Sequence, residues 1–149
     1  GSLVKLRDDG APMPAAACAF SPWTDLAMTG GSVTTNRDAD SMVQAEGLQS
    51  TAAWYLGGAP ATSPYASPLH ADVRGLPPTL LHVGSTEVLL DDSRRLAENM
   101  KSANVEVELR IWPEMPHVFQ GFAMFLPEAR AASGWMARSP GGESITIRS

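Results

Sequence analysis

The chain has 149 residues, of which 44% are hydrophobic and 18% are charged, a size and composition typical of one globular domain. Its net charge of −5 argues against a nucleic acid or an anionic membrane as a partner, because both attract basic surfaces. No run reaches the roughly 18 apolar residues of a membrane span, and no signal-peptide pattern is visible. The sequence therefore predicts a cytoplasmic protein without a membrane span. A targeting segment upstream of residue 1 would not be seen in this sequence.

The chain opens with the pattern of a helix end, followed by a first strand. Residues 3–9 have the pattern of the last turns of a helix, which Gly10 stops. The small-residue apolar run over residues 15–20 predicts a strand, and the segment Ser-Pro-Trp-Thr-Asp at residues 21–25 follows its carboxyl end. Cys18, the one cysteine, excludes an intramolecular disulfide, and its apolar neighbours predict a buried, unreactive thiol.

A helix and an irregular connection occupy the middle of the chain. Residues 29–40 are rich in Gly, Thr, Asn and Asp, which predicts a surface loop. A rough apolar stripe over residues 42–56 predicts a helix, with Asp40 or Ser41 as its N-cap. Residues 57–78 begin with two glycines and are rich in proline, so we expect an ordered but irregular connection there.

The next segment has the order strand, helix, strand. A short apolar run at residues 79–83, bounded by two prolines and a glycine, predicts a buried strand. An amphipathic helix follows, and Asn104 after its last turn suits the left-handed conformation that ends helices. Residues 105–112 alternate apolar and charged side chains, as a strand does. This order makes a right-handed crossover in a parallel sheet the default topology.

Candidate catalytic residues follow the carboxyl ends of these two strands. Glu87 comes shortly after residues 79–83, and His117 comes shortly after residues 105–112. Ligands of open parallel sheets bind at that edge, and neighbouring strands would bring the two side chains together above it. A carboxylate beside an imidazole is the orienting half of a Ser-His-acid triad, in which the acid fixes the histidine tautomer and the histidine moves the proton. The alternative is that His117 is a loop histidine without a role.

A family resemblance covers most of the chain. The stretch from Ser-Pro-Leu at residues 67–69 to Gly-Phe at residues 121–122 resembles the C-terminal half of bacterial carboxylesterases of the hormone-sensitive lipase family, which have the α/β-hydrolase fold. The resemblance implies a partial α/β-hydrolase, with about three parallel strands over residues 15–20, 79–83 and 105–112 and with flanking helices.

The resemblance places the catalytic acid on Glu87 and the catalytic histidine on His117, which stand thirty residues apart as in the family. Many relatives carry aspartate at the acid position, so Asp91 and Asp92 are rival candidates, although a helix should point both away from the histidine loop. Relatives hydrolyse short acyl esters, so the resemblance implies a small-molecule ester as substrate and no cofactor. No spacing of His, Cys, Asp or Glu indicates a metal site.

Three residues are candidate substrate contacts. In the family, the loop that corresponds to residues 21–25 lies near the acyl pocket, which implies a pocket role for Trp23. The alternative is that Trp23 only packs this loop, whose aspartate caps a turn. The apolar and aromatic run over residues 118–126 either lines the substrate mouth, with Val118 and Phe119 as contacts, or packs against the sheet. Packing is the favoured interpretation in both cases.

No nucleophile is visible in the sequence. The Gly-Ser pairs at residues 31–32 and 84–85 lack the closing glycine of the Gly-x-Ser-x-Gly elbow. The resemblance therefore implies that the nucleophile and the oxyanion hole lie upstream, that residues 1–138 form the C-terminal part of one domain, and that this chain alone is inactive. Residues 139–149 do not continue the helical pattern of residues 127–138, and we expect them to be a disordered or foreign tail.

Three interpretations of function follow. The leading one is a carboxylic ester hydrolase to which this chain supplies the acid and the histidine. The second is a non-catalytic half-hydrolase module that acts only by association, since an edge strand without its neighbour pairs with the missing N-terminal half or with a second copy. The third, a flavodoxin-like binding domain, requires an acidic or phosphate-binding first loop, which the sequence does not show.

Overall fold

Three parallel strands form the sheet at the centre of the fold. The computed structural model describes residues 1–136 and places β1 at Ala17–Phe20, β2 at Thr79–Gly84 and β3 at Val107–Trp112. The strands lie in the order β1-β2-β3 and all run parallel, which confirms the predicted class and order. Because the strands are parallel, their carboxyl ends meet at one edge of the sheet, where the candidate catalytic residues follow.

Five α-helices are present among the described residues: α1 (Ser2–Asp8), α2 (Ser32–Thr35), α3 (Ala45–Leu56), α4 (Leu90–Ser102) and α5 (Pro127–Met136). Short 3-10 turns occupy Pro68–His70 and Phe119–Phe122. None of the helices described has the combination of length and apolar character that crossing a bilayer requires. The predicted tail, residues 139–149, and the last two residues of the predicted helix 127–138 lie outside the described residues.

Helix α4 connects β2 to β3 and covers one face of the sheet. Its apolar stripe buries Leu96, Ala97 and Met100 in a cluster with Leu81 of β2. Burying a leucine or methionine side chain stabilises a fold by about 1.5–3 kcal/mol. The helix ends as predicted, because Asn104 adopts the left-handed conformation with φ 56°. This interface fixes the two strands whose carboxyl ends carry the candidate residues.

Helix α3 begins later than predicted. Asp40 does accept the backbone N–H groups of Met42 and Val43, at 3.0 and 2.9 Å, but these bonds close a turn ahead of the helix, which begins at Ala45. The other carboxylate oxygen of Asp40 accepts the N–H of Val88 at 2.9 Å. The predicted helix cap is therefore a turn that is fastened to the loop after β2.

The prediction that Cys18 is buried is wrong. Side chains alternate along β1, so Ala19 faces the core under α4 and Cys18 faces the opposite side, where it is exposed. Phe20, next on that opposite side, contacts the buried ring of His82, with 5.7 Å between the centroids. An apolar run predicts a strand, but it does not say which of its faces other elements cover.

Candidate active site

The loops after the three strands meet at the carboxyl edge of the sheet. Ser21 follows β1 directly, and its N–H donates to the carbonyl oxygen of His82 at 2.7 Å. Gly84 ends β2 at a point where an added Cβ atom would overlap the carbonyl oxygen of Met115, which belongs to the loop after β3. Glycine has no Cβ, so it permits this close approach of two backbones. The loops after β2 and β3 are therefore in direct contact.

Two side-chain hydrogen bonds fasten these loops to each other. The hydroxyl of Thr86 donates to the carbonyl oxygen of Met115 at 2.9 Å, and the Ser85 hydroxyl accepts the N–H of Glu114 at 2.9 Å. The loop that carries His117 is thus held on both sides of Met115 by the loop that carries the candidate acid.

Glu87 and His117 are in direct contact. Glu87 Oε2 lies 2.9 Å from His117 Nδ1, which is hydrogen-bond distance. The Glu87 side chain is fully buried, whereas 25% of the His117 side chain is exposed. A carboxylate at Nδ1 favours the Nδ1–H tautomer and leaves Nε2 as the basic nitrogen. The structure therefore brings together the two residues predicted as a pair, and their catalytic roles stay predictions.

Two donors hold the second oxygen of Glu87. Glu87 Oε1 accepts the N–H of Gly84 at 2.5 Å and the hydroxyl of Ser21 at 2.7 Å. The same Ser21 hydroxyl accepts the N–H of Val118 at 3.0 Å. Hydrogen bonds from three sides thereby offset the cost of burying this carboxylate.

Ser21 is the member of this cluster that the sequence did not reveal. In the sequence, Ser21 belongs to the loop at residues 21–25, and no pattern there predicts a role for it. Its partners Glu87 and Val118 stand 66 and 97 positions away, so no local pattern indicates them. The one signal available was position: Ser21 is a hydroxyl directly after a strand, at the edge where ligands of parallel sheets bind.

The rival carboxylates point away from the histidine, as predicted. Asp92 Oδ2 accepts the N–H groups of Thr24 and Asp25 at 2.7 and 2.8 Å, and Asp91 Oδ2 accepts the N–H of Ser32 at 2.9 Å. Burial raises the pKa of Asp92 to about 6, although the two backbone N–H groups oppose the shift. Both carboxylates therefore hold the loops after β1 against α4.

Asp25 anchors the same loop through a second network. Its buried carboxylate accepts the N–H of Thr29 at 2.9 Å, and it lies 2.9 Å from His70 Nε2 and 3.2 Å from Arg95 Nη1. Burial alone would raise the pKa of Asp25, but the hydrogen bonds from Thr29 and His70 outweigh it and lower the pKa to about 2. The interpretation of this aspartate as a turn cap is confirmed.

The three candidate substrate contacts differ in exposure. Val118 is 37% exposed beside the histidine and adopts a left-handed backbone with φ 48°. Phe119 is fully buried against Ala132. Trp23 is half-buried, and its Nε1–H donates to the carbonyl oxygen of Asp25 at 3.0 Å. Contact with a substrate stays a prediction for Trp23, Val118 and Phe119.

The favoured packing interpretation of residues 118–126 holds for only part of that run. Phe119 packs as expected, but Phe122 is exposed, and Met124 and Phe125 are each 83% exposed. For these three side chains the packing interpretation is wrong, because they lie on the surface rather than against the sheet.

Glu87 makes hydrogen bonds with one imidazole, one hydroxyl and one backbone N–H group at the strand ends. Such a set is suited to holding and moving a proton. Across the part of the chain that the structure describes, no three or more His, Cys, Asp and Glu side chains are grouped so that they could hold a metal ion.

Comparison with known proteins gives consistent matches. Residues 2–121 match the family described as alpha/beta hydrolase fold. An acetyl-hydrolase from Streptomyces hygroscopicus is 43% identical over 147 residues, which are 97% of this chain and 49% of that protein. The chain thus spans about half the length of this curated relative.

Solved structures resemble the chain in the same way. An esterase from the bacterial hormone-sensitive lipase family superposes with a TM-score of 0.86 at 50% identity, over 88% of this chain and 44% of that one. The esterase EstE5, in a crystal soaked with p-nitrophenyl butyrate, superposes with a TM-score of 0.83 at 48% identity, over 87% of this chain and 44% of that one.

Proposed function

Because the chain belongs to the alpha/beta hydrolase fold family, we propose that it supplies the acid and the histidine of a Ser-His-acid triad in a carboxylic ester hydrolase. The resemblance to esterases of the hormone-sensitive lipase family is confirmed, and it supports the reaction class. One observation carries the proposal: His117 Nδ1 lies 2.9 Å from the buried carboxylate of Glu87 at the carboxyl ends of parallel strands.

Each residue has a defined role in the proposed reaction. His117 Nε2 takes the proton of the nucleophilic serine as its oxygen attacks the acyl carbon, and the imidazolium then gives this proton to the departing alcohol. In the second half of the reaction, His117 takes a proton from the water that attacks the acyl carbon. The imidazolium then returns a proton to the serine oxygen as the acyl–serine bond breaks and the carboxylic acid leaves. Glu87 holds the Nδ1–H tautomer and stabilises the imidazolium in both halves.

The nucleophile and the oxyanion hole are proposed to lie upstream of residue 1. Two observations support this. The sequence contains no Gly-x-Ser-x-Gly elbow, and the curated relative is about twice as long as the stretch that it shares with this chain. A serine elbow on a strand beside β1 would place the nucleophile at the same sheet edge as His117.

Short acyl esters are the substrate class that the relatives support. One relative is named as an acetyl-hydrolase, and EstE5 was soaked with p-nitrophenyl butyrate. The exposed Val118 lies beside His117, where it would contact an acyl or alcohol group. Trp23 and Phe119 are proposed to form the wall behind it. The proposed chemistry needs no cofactor, because serine, imidazole and carboxylate supply every group that it uses.

A chimaera tests the proposal. Joining the N-terminal part of the Streptomyces acetyl-hydrolase to residues 1–138 supplies the absent groups, and the product should hydrolyse p-nitrophenyl acetate and butyrate. His117→Ala should then lower kcat by at least about 10⁴-fold. His70→Ala, which removes a histidine paired with Asp25 outside the site, should lower stability and keep kcat. Turnover within tenfold after His117→Ala would contradict the proposal.

A second candidate function is association without catalysis. The exposed Cys18 on β1 favours it, because β1 lies at the end of the strand order and no described residue pairs with its outer edge. Uncovered edge strands pair with other chains. We propose that this edge is where the chain meets its N-terminal half or a second copy.

A further inference from the structure

The hydroxyl of Ser21 contacts the acid and the loop that carries the histidine. Its hydrogen is donated to Glu87 Oε1 at 2.7 Å, and its oxygen accepts the N–H of Val118, the residue after His117, at 3.0 Å. Ser21 itself is only 3% exposed, and its N–H donates to the carbonyl oxygen of His82 in β2. A single hydroxyl therefore connects the end of β1, the acid and the histidine loop.

Ser21 is one of the two donors that fix the orientation of the Glu87 carboxylate at its second oxygen. The last torsion of a glutamate side chain is broad, so a carboxylate held at one oxygen swings easily. His117 takes Oε2, and the remaining oxygen is fixed by Gly84 and by Ser21. The bond from a hydroxyl to an ionised carboxylate is among the stronger hydrogen bonds in proteins.

The backbone is strained at both residues that this hydroxyl connects to each other, Ser21 and Val118. Ser21 and Val118 both adopt left-handed conformations, with φ 47° and 48°. This conformation is uncommon for residues other than glycine and is an outlier for a β-branched residue. Such strain persists where surrounding contacts determine the geometry, and it concentrates at functional sites.

We propose that Ser21 is a positioning residue, whose hydroxyl holds Glu87 and the backbone beside His117 in the one arrangement that keeps His117 in the Nδ1–H tautomer. This inference rests on the proposed function, in which that tautomer makes Nε2 the base. Ser21 touches no reacting atom, and it acts through Glu87 and the histidine loop.

Nitrogen NMR of the histidine rings tests this directly on the 149-residue chain. Imidazole nitrogen shifts of ¹⁵N-labelled chain, recorded where the rings are neutral, report each tautomer. In Ser21→Ala, the His117 shifts should move from the Nδ1–H pattern towards the mixture of an unrestrained histidine. The shifts of His70, which pairs with Asp25, should stay unchanged.

Ser93→Ala is the matched control. Ser93 is also fully buried, but its hydroxyl has no hydrogen-bond partner among the described residues, so this change deletes the same atom without breaking a contact. All histidine shifts should stay at their original values. Ser21→Gly removes the same hydroxyl and suits the left-handed backbone, so it serves as a second variant if alanine impairs folding.

A double-mutant cycle distinguishes positioning of Glu87 by Ser21 from a general loss of structure around His117. Glu87→Gln should change the His117 shifts by itself, and adding Ser21→Ala should then change them little further, because both act on one contact. The proposal is overturned if His117 keeps its tautomer in both Ser21 variants. It is also overturned if Ser93→Ala has the same effect, or if the Ser21→Ala effect persists in full beside Glu87→Gln.

Turnover gives an independent measurement in the chimaera. Ser21→Ala should lower kcat about 10- to 100-fold while KM stays within about twofold, because a displaced catalytic group weakens the chemical step rather than binding. Unchanged kcat would contradict the positioning role. A chimaera without any turnover would count against the proposed function, whereas the histidine shifts would still decide the role of Ser21.

Discussion

The two oxygens of the Glu87 carboxylate face different partners. One meets the imidazole of His117 and the other is held by Ser21 and Gly84. A buried carboxylate with each oxygen occupied has one orientation, so its charge is directed at one ring nitrogen. We therefore expect small changes of the Glu87 side chain to lower kcat strongly.

Glu87→Gln in the chimaera should lower kcat by about 10³- to 10⁴-fold, because a neutral amide neither fixes the Nδ1–H tautomer nor stabilises an imidazolium. Glu87→Asp keeps the charge but is one methylene shorter, so it should retain more activity than the glutamine variant. The check is steady-state hydrolysis of p-nitrophenyl butyrate. A glutamine variant within tenfold of the parent would show that Glu87 is not the acid.

Gly84→Ala should destabilise the fold by about 1–3 kcal/mol, because its Cβ would overlap the backbone carbonyl of Met115, which cannot move without displacing the histidine loop. Gly47→Ala is the matched control: it lies inside α3 with nothing near its added Cβ, and it should be neutral or stabilise by up to about 1 kcal/mol. Urea denaturation of both variants gives the two values. Equal stabilities would contradict the close approach of these loops.

Sequence patterns indicate single residues only where chemistry and position coincide. Glu87 and His117 were predictable because each follows a strand and carries a group with proton chemistry. Ser21 was not, since its partners are distant in sequence and a loop serine carries no distinguishing pattern. The burial of Cys18 was predicted wrongly, because alternation along β1 does not say which face is covered.

At the scale of elements, the loop after β1 is fastened to α4 by two buried carboxylates. Asp92 accepts the N–H groups of Thr24 and Asp25, and Asp25 meets Arg95 of α4 at 3.2 Å. The pKa of Asp92 is raised to about 6 by burial, and the pKa of Asp25 is lowered to about 2 by its hydrogen bonds. The two groups therefore influence stability in opposite directions and in different pH ranges.

Asp92 should make the fold less stable as pH rises from about 4 to about 6. Its folded pKa lies above the ordinary 3.8, so the folded protein binds this proton more tightly than the unfolded chain does. The free energy of unfolding of Asp92→Asn, relative to that of the unsubstituted chain, should increase between about pH 4 and pH 6 by at most about 1.4 kcal/mol per pH unit. Above about pH 6 the difference should stay constant. Chemical denaturation from pH 4 to 8 measures the difference, and a difference that does not vary with pH would contradict the raised pKa.

Asp25 should contribute the opposite trend at lower pH. Its folded pKa of about 2 lies below the ordinary 3.8, so its contribution is present above about pH 4 and is lost as pH falls towards 2. Asp25→Asn should therefore lower the free energy of unfolding at neutral pH by more than it does near pH 2. Equal losses of unfolding free energy at both pH values, measured by denaturation, would show that the hydrogen bonds to Asp25 do not favour its ionised form.

Elements were predictable to different degrees. The strands and α4 follow from apolar periodicity, and their order follows from the strand–helix–strand pattern. The start of α3 was misplaced because Asp40 has the chemistry of a helix cap but caps a preceding turn. Its second oxygen reaches Val88, a contact between distant segments that local propensity does not contain.

The sheet as a whole has three strands, and none of the described residues pairs with the outer edge of β1. β1 lies at one end of the strand order, and Cys18 on it is exposed. Large apolar side chains are exposed elsewhere, among them Trp54, Met124 and Phe125. Open edges and exposed apolar surface favour association with another chain.

The purified 149-residue chain should therefore sediment and scatter light as a dimer or a larger species under reducing conditions. Cys18→Lys should shift it towards the monomer, because a charge on an edge strand disfavours pairing. Thr51→Lys, which adds the same charge on the exposed surface of α3, should not. A sharp monomer peak with cooperative unfolding for the unsubstituted chain would show that this sheet closes its own core.

The hydrogen bond between Ser21 and Val118 spans 97 positions of sequence. Contacts of this separation are slow to form, because the intervening chain must lose conformational entropy before the contact stabilises the fold. β1 reaches the histidine loop only across β2, so both strand pairings must be in register first. In kinetic terms, we expect the bond between Ser21 and the histidine loop to form at the end of folding, so that exchange of the Val118 amide with solvent deuterium reports when this long-range contact has closed.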